Sequence, residues 1–184
     1  MAIDDVMVWP LLETFHSCLE TAFAAHPDPP GIIRHHAGSG NAVPQVNPHT
    51  LENECQCGLA WVRLDGFGPA AGPTLAPDAT AGNCFASYGV QIELGAVRCW
   101  PHAGDFADPE AWAETASLVA LDAAALRRAV TCCFVPGNAE HQTVMGQWGP
   151  VGISGQCVGG RLTVTVSTYA GDCCEDPDEA TPSR

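Results

Sequence analysis

Residues 88 to 100, YGVQIELGAVRCW, alternate strictly. Tyr88, Val90, Ile92, Leu94 and Ala96 are apolar or aromatic, and Gly89, Gln91, Glu93 and Gly95 between them are small or polar. A period of two is the signature of a β-strand with one buried face and one wetter face, so the chain must supply a layer to cover the apolar row. Residues 8 to 25 predict part of that layer, with Leu11, Leu12, Phe15, Cys18, Leu19 and Phe23 at helical spacing and Pro10 in the first turn. Asp108-Pro109-Glu110 predicts a second helix start: a capping carboxylate, a proline at the first helical position and an acid near the positive end of the dipole. Trp112, Ala116, Val119, Ala123, Leu126, Val130 and Cys133 then mark its inner face, and Pro136-Gly137 closes it after Phe134-Val135.

Leu59 to Leu64 and residues 161 to 169 supply two more strands; in the latter, Leu162, Val164 and Val166 oppose Thr163, Thr165 and Ser167. The expectation is one α+β domain over residues 1 to 172, ordered helix, strand, strand, helix, strand, with the helices packed on an antiparallel sheet. Residues 26 to 50, 66 to 83 and 137 to 160 read as long loops rich in glycine, proline or polar residues, and 173 to 184 as an acidic tail. At 184 residues there is room for one core of ordinary size.

Charge narrows the function classes. The chain has 21 acidic residues against 7 arginines and no lysine, for a formal net charge of -14. Binding to phosphate backbones relies on cationic side chains, so a sequence-reading role on nucleic acid is not expected. A negative wall past which DNA slides without sticking stays compatible with this balance. No apolar stretch reaches the ~20 residues of a membrane-spanning helix, and the acidic start, interrupted by Pro10 and Glu13, does not read as a secretory signal. The expectation is a soluble protein made in the cytoplasm.

Ten cysteines need a role. Structural zinc takes four ligands, usually as two short pairs with two to four residues between members, and neither Cys55-x-Cys57 nor Cys132-Cys133 has that spacing. These four remain the metal candidates if the chain bends to bring them together. Otherwise Cys18, Cys99 and Cys133 read as small buried apolar residues, with late disulfides as the other option. His35-His36 and His49 lie in polar sequence without a metalloprotease helix pattern, and no Gly-rich phosphate loop or G-x-S-x-G is present. No catalytic residue and no cofactor is predicted. Met145, Trp148, Val151 and Ile153 place apolar side chains in a Gly-rich segment, which points to a partner interface. A charged replacement of Trp148 is expected to block that interface without unfolding the monomer. The terminal strand, at a sheet edge, would extend a neighbour's sheet.

Taken together, C-x-C-G before a strand, VQIELGAVRCWP before an acid-capped helix, ALRRAVTCC at its end and QWGPVGISGQCVGGRLTVTV resemble the cysteine-rich neck proteins of tailed actinobacteriophages over residues 50 to 170. The element order is similar to lambda-type tail terminators and neck joining proteins. That resemblance implies a structural virion protein of the phage neck: a homo-oligomeric ring, expected to be a hexamer, that caps the tail tube protein and joins it to the head-tail connector or stopper protein while DNA passes through. The family's cysteine pattern is matched at Cys55, Cys57, Cys99, Cys132, Cys133 and Cys157, and these are expected to be structural; separately, Cys55 and Cys57 are expected to stabilise the domain by pinning their strand to the helix end near Cys132 and Cys133. The alternative is a small zinc-binding or thiol-dependent enzyme.

Overall fold

The computed structural model describes residues 8–37, 58–71, 74–75, 87–99, 108–133, 142–154 and 157–169. Their order is α1 (Val8–Phe23), β1 (Ile32–His35), β2 (Leu59–Ala71), β3 (Thr74–Leu75), β4 (Ser87–Cys99), α2 (Pro109–Cys133), β5 (Gln142–Ser154) and β6 (Cys157–Tyr169). The strands run β1-β2-β4-β6-β5 across the sheet, with β3 attached to β2. The class is α+β, as expected, but the element order is longer than helix, strand, strand, helix, strand.

The central alternation folds as its pattern dictates. Val90, Ile92, Leu94 and Ala96 of β4 turn to one face, joined by Ala60 and Val62 of β2 and by Leu162, Val164 and Val166 of β6. Helix α1 covers that face with Leu11, Leu12, Phe15, Leu19 and Phe23, and α2 with Ala125, Leu126, Ala129 and Val130. Phe15, Leu19 and Leu126 are wholly buried, and side chains of this size each contribute roughly 1.5–3 kcal/mol by leaving water. The start of α2 is capped as predicted, with the Glu110 amide donating to Asp108 Oδ1 at 3.0 Å. Its stripe is phased differently from the prediction: Ala116 is exposed, and Asp122 sits on the buried side.

Five expectations about strands are corrected. The sheet is mixed and not antiparallel, because β1 pairs parallel to β2, Ile32 opposite Leu59 and His35 opposite Val62. Residues 26 to 50 therefore contain a strand, one whose parallel partner is supplied from beyond the segment itself. In the predicted loop 66 to 83, β2 continues to Ala71 after a register shift between Leu64 and Gly66, and Thr74–Leu75 pairs back onto its end. In the predicted loop 137 to 160, β5 and the start of β6 form an antiparallel pair. The terminal strand β6 is consequently interior, and among the described residues β1 and β5 are the edges. The helix end at Phe134-Val135 and the tail 173 to 184 lie outside the described residues.

Glycine made the 137 to 160 segment look irregular, yet here it serves close packing. A Cβ on Gly159 would sit 2.1 Å from the Ala96 carbonyl oxygen, and one on Gly160 would sit 2.2 Å from Cζ2 of Trp148. Gly95 accommodates Trp61 in the same way, at 2.1 Å. Gly58 has a different task. It enters β2 with φ of 96°, a left-handed conformation that a side chain would strain. There its amide donates to the Val97 carbonyl and its own carbonyl accepts from the Ile32 amide. The glycine of C-x-C-G thus joins β1, β2 and β4 at one end of the sheet.

Candidate interaction surface

Among the described residues, helix α1 packs mainly against β1 and β2, and α2 mainly against β4 and β6, so β5 forms a shelf at the margin of the helix layer. Between α2 and this shelf runs a groove of about 380 Å³ lined by Ala123, Ala124, Arg127, Met145, Trp148 and Leu162. Met145 is 40% exposed. Trp148 is half-buried and packs against the core, its indole lying over Gly160.

The four predicted interface residues do not make one patch. Register places Met145 opposite Val164 and Trp148 opposite Leu162, both on the helix side, whereas Val151 lies opposite Gly159 on the other face. There Val151 packs beside Leu59, Trp61, Val97 and Cys157. Ile153 belongs to β5, but its side chain lies outside the described residues. Trp148 packs against the core and over Gly160, so a charge there is expected to disturb the fold as well as any interface.

Two charged clusters, one on each face, went unnoticed in the sequence. On the helix side, Arg98 of β4 donates from Nε and Nη2 to Asp122 of α2 at 2.6 and 2.8 Å, from Nη1 to the Asp28 carboxylate, and from Nη2 also to the Asp28 carbonyl. His26 brings Nε2 to 3.3 Å from Asp122 Oδ1, while its Nδ1 accepts the Asp28 amide. Nδ1 is thereby committed as an acceptor, while the buried Nε2 faces the carboxylate without a hydrogen bond to it, and the cluster ties the end of α1, β4 and α2 together. Burial opposes the charge on Arg98, but the hydrogen bonds and charge of Asp122, followed by those of Asp28, outweigh it and hold the guanidinium pKa above its ordinary value.

On the opposite face Glu93, 3% exposed, accepts from Trp61 Nε1 at 2.9 Å, Arg63 Nη2 at 2.9 Å and Arg161 Nη1 at 3.1 Å. The face read as wetter is therefore closed at Glu93, and three donors satisfy its carboxylate. His36 lies near this group. Burial first, then the charges of Arg34 and Arg63, lower its pKa below 6.5 against the pull of Glu93.

Cysteine placement is decided in part. Cys18, Cys99 and Cys157 are disulfide-bonded, and Cys132 is a free, exposed thiol at the end of α2. Cys18 and Cys99 are thus not the buried free thiols expected: Cys18 is half-buried at the core rim and Cys99 is exposed. Cys132 takes no part in pinning. Cys55 and Cys57 lie outside the described residues, as does the side chain of Cys133. Among the described residues no three His, Cys, Asp or Glu side chains gather as a metal site, and no helix is long and apolar enough to cross a membrane.

No protein-family model matches the chain, and no curated protein matches its sequence.

Proposed function

We propose that this chain is a structural subunit that associates with itself through β5. In the particle suggested by its resemblance, it would act as a tail terminator or head-tail joining ring of a phage neck. The observation that carries the reading is the shelf: a 13-residue edge strand at the margin of the helix layer, beside an apolar groove with Met145 exposed. An edge of that length offers a row of backbone donors and acceptors, and natural sheets usually cover or blunt such edges unless a partner pairs with them. The acidic balance suits a ring whose wall must not retain DNA. In this role the mechanism is mechanical. Sheet pairing and groove contacts hold the ring, and the ring ends the tail tube and receives the connector.

The test is native mass spectrometry of the purified chain over a concentration series, alone and with tail tubes, comparing wild type with Met145→Lys. A ring-sized, metal-free assembly that Met145→Lys weakens is the expected result. A chain that stays monomeric in both settings would overturn the reading. A monomer carrying stoichiometric zinc would put the zinc-binding enzyme in its place.

A further inference from the structure

We infer that the shelf on β5 receives the α1–β1 flank of a second copy of the chain; this inference rests on the self-association proposed above. The two halves of the contact lie at opposite edges of one sheet and on the same side of it. Helix α1 presents an outer row of Trp9, Glu13, His16 and Glu20, at the four- and three-residue spacing that lines one helix face. Trp9 is 49% exposed, and the Glu13 and Glu20 side chains are 55% and 57% exposed.

This row is fixed to the β1 edge. The ring of His35 in β1 stacks on His16 at 4.5 Å between centroids and lies 4.9 Å from Trp9. Glu13 approaches His35 Nε2 at 3.3 Å, and Glu20 approaches His16 Nδ1 at 3.7 Å. Trp9 and the two acids are therefore held beside the edge strand and not scattered over the helix. Ile33 faces the helices from the same strand, whereas Ile32, 55% exposed, turns to the opposite face.

The β5 side is the complement. Its groove is apolar, with Ala123, Ala124, Met145, Trp148 and Leu162 in its lining, and Arg127 supplies the positive charge. When β1 of one copy extends the sheet at β5 of the next, α1 descends on the helix side, where the groove opens. Trp9 then meets Met145 and the groove, and Glu13 meets Arg127. In a chain with 7 basic residues and a net charge of -14, an arginine on the shelf and acids on the opposite flank set orientation and deter flank-to-flank pairing. Joining unlike edges is heterologous, so repetition closes into a ring or continues as a filament.

Sedimentation velocity on the full chain tests the pairing with Glu13→Arg, Arg127→Glu and the double reversal, each first checked for a wild-type melting curve. The expected result is that either single reversal weakens assembly about tenfold or more, and that the double reversal restores most of the loss. Trp9→Ser should weaken assembly without changing its salt dependence. If wild type assembles and the single reversals assemble equally well, or if the double fails to rescue, this pairing is wrong while self-association stands. If wild type never assembles, both proposals fall.

Discussion

Replacing Asp122 with alanine should be among the most damaging single changes in the protein. The Asp122 side chain is 3% exposed and its partner Arg98 is 10% exposed, so the substitution removes two short hydrogen bonds and leaves a buried guanidinium facing a void. Breaking a buried pair by deleting one member typically costs about 3–5 kcal/mol, because the remaining charge stays desolvated. Asp28 still contacts Arg98 but is itself 62% exposed, which places the expectation at the lower end, about 3 kcal/mol. Against a total stability of roughly 5–15 kcal/mol for a domain, that is a large fraction. Urea unfolding followed by tryptophan fluorescence, with the disulfides intact, should show the loss as a lower midpoint at unchanged slope. The double variant Asp122→Leu with Arg98→Met, which removes both charges and keeps the volume, should recover most of it. A loss below about 1 kcal/mol for Asp122→Ala would refute the claim that this pair is held by its burial.

Other consequences are open to direct measurement. Gly95→Ala puts a Cβ 2.1 Å from Trp61 Cζ2, and it should destabilise by about 1–3 kcal/mol as overpacking; a melting temperature equal to wild type would contradict the close approach. His36 carries a pKa lowered below 6.5 in the folded chain, so the unfolded chain binds its proton more readily. The associated stability is present above 6.5 and is lost as pH falls through the folded value. His36→Gln should therefore flatten the acid side of the stability profile, and an unchanged profile would count against the assignment. Among Cys18, Cys99, Cys132 and Cys157, iodoacetamide applied to the native protein without reductant should label Cys132 alone, as read by peptide mass mapping.

What the sequence disclosed follows the reach of each signal. The alternation in β4 and the Asp108 cap with Pro109 and Glu110 behind it are local, and both elements appear where their patterns lie. β1 is only four residues long and takes its parallel partner from Leu59 onward, so nothing within it announces a strand. β5 was hidden by Gly146, Gly149, Pro150 and Gly152, a composition that reads as loop when the close contacts between strands are unseen. The charged clusters left a faint trace. Asp122 falls three residues after Val119 and four before Leu126, within the apolar stripe itself, where an acid requires a buried partner. Likewise Arg63 shares the phase of Trp61 on β2, and Glu93 lies across from it. For the candidate interface, the segment was legible but its faces were not, because the register shift between Met145 and Trp148 changes which side chains share a side.

The position of β6 between β4 and β5 also governs how the chain must be made. As the protein emerges from the ribosome, α1 and the strands through β4 can associate early, but the other edge of β4 waits for a partner encoded beyond α2. At roughly 5–20 residues per second, that wait lasts several seconds. During it, Val90, Ile92 and Leu94 stand in a strand with a bare edge, and the chain has no lysine to act as gatekeeper there. The strand at the centre of the finished sheet is the most aggregation-prone edge of the nascent one. Expression yield should consequently respond to holdase chaperones and to slower growth temperature more strongly than the stability of the completed domain would lead one to expect.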